Sequence, residues 1–231
     1  MIGLTGLWTS ESWCAEALNL PEEELAKESV TPVFDRMVSL KNRNVALEGR
    51  IDIGGYYGWA LTEPIANVSK LGLNLYYHTD EEHAWGLFLN KNFTGLSGYA
   101  KQLNSQFTLD FERAPKPELT VMVDYNLLAF YGKMSITKQT VLNLNLYGSL
   151  AGGVVKYQHK SYPALAPGLG QKFYLTNQFA LRFDLRLFIH QAPIPFKPGA
   201  IKQSDPIPSY SEFEERITYT TVLDMGLSYL F

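Results

Sequence analysis

The run ITYTTVLDMGLSYLF alternates with a period of two, and that period decides which element it can form. Ile217, Tyr219, Thr221, Leu223, Met225, Leu227, Tyr229 and Phe231 share one parity; Thr218, Thr220, Val222, Asp224, Gly226, Ser228 and Leu230 share the other. Successive side chains of a strand point to opposite faces, so one face is greasy and aromatic and the other mostly small and polar. A second run is cleaner still. Phe179, Leu181, Phe183, Leu185, Leu187 and Ile189 form one apolar row against Ala180, Arg182, Asp184, Arg186, Phe188 and His190.

The same period begins at Val45 and predicts eight strands, near 45–61, 65–78, 84–93, 119–127, 142–147, 168–176, 179–190 and 217–231. In the first, Val45, Leu47, Ile51, Ile53, Tyr57 and Trp59 face one way and Glu48, Arg50, Asp52, Gly54, Tyr56 and Gly58 the other. Segments 94–118 and 192–215 are long connections, the second rich in proline, and 128–140 is expected to be a longer turn around Gly132. Residues 1–44 differ in character. Pro21, Glu22, Glu23 and Glu24 resemble a helix start, with acids at its positive end, so 1–44 is expected to be a partly helical periplasmic extension ahead of a barrel over 45–231.

Eight alternating strands suit a soluble sandwich or barrel, with the apolar face inside, or a membrane barrel, with that face in lipid. Three features favour the second. The apolar faces are uniform, with aromatics near strand ends, as an interfacial girdle requires. The opposite faces carry Gly, Asn, Ser and balanced charges such as Arg182-Asp184-Arg186, and only 19% of the chain is charged. The long connections fall after odd-numbered strands, while most of those after even-numbered strands are tight, which matches long outer loops and short periplasmic turns. The fold expected is therefore all-β, an eight-stranded antiparallel transmembrane barrel. Its lumen is just wide enough to be filled by side chains. Glu48, Arg50, Asp52, Asp124, Lys172, Arg182, Asp184, Arg186 and Asp224 are expected to pair there as packing, because unpaired charges in such a space are costly.

Other classes lose ground. Mean hydropathy is -0.11, too polar for a bundle of membrane helices, and a net charge of -3 gives no reason to expect nucleic acid. Cys14 is the one cysteine, so neither an intramolecular disulfide nor a cysteine metal site is expected, and no cofactor is implied. MIGLTGLW is not a secretory signal, so a leader is expected to have been removed.

The polar-in, apolar-out last strand, with Leu227, Tyr229 and Phe231 outward, resembles the C-terminal assembly signal of bacterial outer-membrane barrels. The resemblance implies the barrel assembly machinery as a partner. More broadly, LAKESVTPVFDRMVSLKNRNVALEGRIDIGGYYGWALTEP, SGYAKQL, ERAPKP, FYGKMSITKQT, GLGQKFYLT and ALRFDLR resemble the outer-membrane β-barrel domain family of myxobacteria and predatory relatives. That resemblance spans roughly 25–231 and implies a small barrel in the bacterial outer membrane; no catalytic residue comes with it. The function expected is structural or porin-like, with outer-membrane lipid as neighbour and a homo-oligomeric ring enclosing lipid or a pore. Two alternatives stand beside it. One is a lipid- or peptide-modifying enzyme at the rim, drawing on His190, His159, Asp110, Glu112 or Asp205. The other is an adhesion or binding module built on the two long loops.

Overall fold

The computed structural model describes residues 45–135 and 141–231, so the readings of a helical extension over 1–44 and of Cys14 lie outside the described residues. Eight strands close into one antiparallel barrel in sequential order. They are β1 (Ile51–Ala60), β2 (Ala66–His78), β3 (His83–Leu96), β4 (Pro117–Ser135), β5 (Val141–Tyr157), β6 (Ser161–Tyr174), β7 (Phe179–Pro193) and β8 (Glu215–Leu230). β1 pairs with β8 from Asp52↔Leu230 to Ala60↔Val222, which removes every free sheet edge along that seam.

The even-numbered turns and the start of β1 lie at one end, the turn end. The odd connections, including 97–116 and 194–214, lie at the other, the loop end. Alternation decides the faces. On β7, Ala180, Arg182, Asp184, Arg186, Phe188 and His190 are all buried in the lumen, while Phe179 and Leu185 stand exposed outside. On β2 the outward residues are Leu71, Leu73, Leu75 and Tyr77, with Leu73 62% exposed. Half-exposed Leu or Phe left in water costs roughly 1 kcal/mol apiece. About ten of them would already rival the roughly 5–15 kcal/mol by which a domain is stable. The barrel is inside-out relative to a soluble one, and hydrocarbon is the solvent that suits it. Among the described residues no helix is long and apolar enough to cross a membrane; strands span it.

Aromatics ring both ends of the apolar belt. Trp85 packs against Tyr125 at 4.7 Å between ring centroids, and Phe179 against Tyr229 at 4.8 Å, near the turn end. Tyr57 meets Trp59 at 4.7 Å near the loop end. Amphipathic rings belong at the two bilayer interfaces.

Four sequence expectations need correction. β1 starts at Ile51, and Val45 and Leu47 instead turn in beneath the barrel with Tyr174, Ala180 and Leu230. β4 does not end at Leu127. A bulge between Leu128 and Phe130 reverses the side-chain parity, and the strand runs on to Ser135 with Phe130 outward and the Tyr131 hydroxyl on Asn143 Oδ1 at 2.8 Å. β5 and β6 run much longer, taking in 148–157 and 161–167. The connection after β3 holds a helix, α1 (Gly98–Phe107), opened by Ser97, whose hydroxyl accepts from Ala100 N at 3.1 Å.

Candidate functional site

The lumen is built on tyrosines lying over glycines. Tyr56, Tyr76 and Tyr147 face Gly72, Gly86 and Gly170 directly across their strand pairs, and a Cβ at any of the three would collide with the opposite ring. An inward glycine lets the ring lie flat against the wall, and its hydroxyl then reaches the barrel axis. There the charges gather. Tyr76 Oη donates to Asp124 Oδ2 at 2.7 Å, and it accepts from Arg182 at 3.0 Å and Arg186 at 3.2 Å. Arg186 also reaches Asp124 Oδ2 at 3.0 Å. Arg182 binds Asp184 through two nitrogens, and Tyr147 Oη donates to the same carboxylate at 2.6 Å. Lys172 pairs with Asp52. Arg182 also lies over the Tyr76 ring at 4.6 Å and Arg186 over Phe88 at 4.4 Å, so each guanidinium has a ring as well as a carboxylate.

Of the charges expected in the lumen, Asp52, Asp124, Lys172, Arg182, Asp184, Arg186 and Asp224 are buried there, while Glu48 and Arg50 are not. Glu48 sits exposed in the turn closed by Gly49, because the chain has not yet entered β1. Arg50, at the turn end, donates to the carbonyls of Leu230 and Phe231, both at 2.9 Å, and so ties the start of β1 to the end of β8. Asp224 lies in the lumen without joining any of the ion pairs above. Three participants escaped sequence reasoning: Tyr76, Tyr147 and Lys70. The signal was present in the inward parity of Tyr76 and Tyr147 opposite inward glycines, but it needs the strand register to be seen.

Above this plug the lumen opens into a chamber at the loop end. A lower cavity of about 30 Å³ is lined by Lys70, His190, Tyr157, Glu63, Asn92 and Thr220 among others. An upper one of about 160 Å³ shares Glu63, Pro117 and Tyr157 with it and adds Val68, Leu96, Phe111, Phe196, Lys116 and Arg216. The two long loops roof it together. Asp110 N donates to Ile201 O at 2.8 Å, and Arg113 donates to Asp205 O at 2.9 Å and Gln203 O at 2.8 Å.

The residues weighed for rim chemistry do not converge. His190 points into the lumen, with Nε2 at 3.0 Å from Tyr157 Oη. His159 Nε2 lies 3.2 Å from the Tyr162 hydroxyl, which donates to Glu215. Asp110 holds Arg113 at 2.8 Å and the Glu112 amide, and Asp205 takes the Lys202 amide. Among the described residues no group of three His, Cys, Asp or Glu side chains is placed to hold a metal ion. On the outside, Leu227 and Phe231 are exposed, and Tyr229 stacks edge-on with Phe179 and Phe231. A shallow lipid-facing depression of about 740 Å³ runs over Gly55, Leu71, Leu73, Leu89, Met225 and Leu227.

No protein-family model matches the sequence, and no curated protein matches it. Among solved structures, the chain is similar to a de novo designed transmembrane β-barrel, with TM-score 0.40 and 11% identity over 80% of this chain and 97% of that one. It is similar to the outer membrane protein OprG from Pseudomonas aeruginosa, with TM-score 0.38 and 12% identity over 82% and 99% of the two chains. It is also similar to the N-terminal β-barrel domain of Pseudomonas aeruginosa OprF, with TM-score 0.38 and 7% identity over 80% and 98%.

Proposed function

We propose that this chain is an integral barrel of the bacterial outer membrane with a structural, porin-like role, of the type found in myxobacteria and predatory relatives, and that it works as a homo-oligomer. The observation that carries the reading is the filled midsection. Tyr76, Asp124, Arg186, Arg182, Asp184 and Tyr147 interlock across the barrel axis, so the described residues plug the middle of a single protomer. Any conducting or lipid-filled space then lies between barrels, and closed rings are the usual form of homo-oligomers. The depression over β1, β2, β3 and β8 supports this: its lining, which includes Gly55, Leu71, Leu73 and Leu89, offers a second copy, or acyl chains, a concave apolar surface. The outward Leu227, Tyr229 and Phe231 on β8 suit delivery by the barrel assembly machinery.

Mass measurement in mild detergent, paired with single-channel recording in planar bilayers, tests the proposal. A mass of several protomers is expected, with no steps from the monomeric fraction. A purely monomeric, conducting species would overturn it.

A further inference from the structure

Three cationic residues line the chamber without a direct ion pair among the described residues. Lys70 is 6% exposed, and its ammonium sits 3.7 Å from the centroid of the Phe188 ring. Its ammonium makes no hydrogen bond and no direct ion pair among the described residues, and the Asp224 and Glu63 carboxylates act on it only at longer range. The Lys116 and Arg216 side chains border the wider cavity above, again without an ion-pair partner among the described residues. Against these three cations stand two carboxylates: Glu63, which already accepts from the Thr220 hydroxyl at 2.6 Å, and Asp224, which acts on Lys70 from the layer below. Asp224, the next carboxylate down, does not line the chamber. Asn92 Oδ1, Thr94 Oγ1 and His190 Nδ1 are also buried there without a hydrogen-bond partner among the described residues.

A buried ammonium facing a cavity without a directly bonded counter-ion is expensive in a barrel that pairs Lys172, Arg182 and Arg186 directly a few residues below. Packing alone does not explain it, because a methionine would fill the same space at no electrostatic cost. The walls above Lys70 are apolar: Val68, Leu96, Phe111, Pro115 and Phe196. At about 160 Å³ the upper cavity is close to the roughly 150 Å³ that accepts a benzene ring in an engineered protein interior.

We infer that the chamber is a binding site for a small amphipathic monocarboxylate, its carboxylate on Lys70 and its apolar body between Phe111 and Phe196, with Lys116 and Arg216 drawing the anion to the mouth. A bidentate or single charge-assisted bond to Lys70 supplies the polar anchor, and the walls supply the rest. The site does not depend on oligomerisation, so it stands or falls apart from the assembly proposed above.

The test uses the full chain in lipid nanodiscs, with benzoate as probe, its neutral isostere benzamide as control, and lysine side-chain carbons labelled for NMR. Benzoate is expected to move the Lys70 signal saturably, and benzamide to bind at least tenfold more weakly. Lys70→Gln is expected to lose benzoate affinity by a similar factor, with folding checked by its heat-modifiable gel mobility. Equal affinity for benzoate and benzamide in the unaltered chain would overturn the inference without recourse to any variant. So would absence of saturation, or a folded Lys70→Gln barrel that binds benzoate unchanged.

Discussion

Two layers of one lumen treat charge in opposite ways. In the midsection, Arg182, Arg186 and Lys172 meet Asp184, Asp124 and Asp52 through direct ion pairs, with the Tyr76 and Tyr147 hydroxyls bridging them. In the layer nearer the loops, Lys70 touches the face of Phe188 and has the Asp224 and Glu63 carboxylates only at longer range. Both layers come from the same inward parity on strands of one closed sheet. The difference is therefore not one of secondary structure. It lies in which residue types the inward positions carry, and it separates a plug from a chamber: where charges pair directly the space is shut, and where one has no direct partner there is a cavity beside it.

The largest expected effect breaks that contrast directly. Arg182→Ala leaves Asp184 buried with less compensation and strips a donor from Tyr76, which should cost about 3–5 kcal/mol. Lys70→Met removes no direct ion pair, keeps the volume and relieves a buried charge, so no loss of stability is expected and any change is a gain. Urea unfolding of barrels folded into lipid vesicles, followed by the fluorescence of the interfacial Trp59 and Trp85, measures both. Equal losses would show that the two layers do not differ in the way described.

The next effect concerns the wall beneath the plug. At Gly170 a Cβ would run into the Tyr147 ring and push its hydroxyl off Asp184, whereas at Gly152, on the outward face, a Cβ meets nothing within 4 Å. Gly170→Ala should therefore cost about 1–3 kcal/mol as overpacking and Gly152→Ala close to nothing, both read from the same urea midpoints. A matching loss at Gly152 would mean that backbone freedom, not ring clearance, is what these glycines supply.

How much of this was legible in the sequence follows from what alternation can carry. β7 and β8 read cleanly because their outward rows are unbroken, and the register adds only which partner each residue meets. β5 and β6 were cut short because Gly148, Gly152, Gly153, Pro163 and Pro167 interrupt the pattern that betrays a strand. Pairing with β5 keeps β6 extended through both prolines, and the ladder to β7 lapses around Ala166 and Pro167, where proline has no N–H to give. The end of β4 was missed because a bulge at Leu128 to Phe130 inverts the parity that the reading relied on. Glu48 was assigned to the lumen by extending a two-residue period into a turn, where it no longer applies. The lumen charges on β4, β6, β7 and β8 were legible one at a time. Their tyrosine bridges were not, since Tyr76 and Arg182 are far apart in the chain and meet only once the sheet has closed.

The smallest expected effect lies outside the bilayer, where a charge needs no buried partner at all. In the tight turn between β2 and β3, Asp80 Oδ1 accepts the amides of Glu82 at 2.8 Å and His83 at 2.7 Å. The Glu82 amide first, and the His83 amide after it, hold the Asp80 carboxyl below the usual carboxylate range, although the residue is only partly buried. A carboxyl depressed in the folded state adds stability that is complete above its unfolded value of about 3.9 and fades as pH falls through the lower folded value. Asp80→Asn keeps one acceptor oxygen but no charge, so the variant should trail the unaltered barrel slightly at neutral pH and converge with it in acid. Urea midpoints of both, taken from pH 7 downward, trace the gap. A gap that stayed the same from neutral pH into acid would mean that the turn is held by shape alone and that the Asp80 charge contributes nothing.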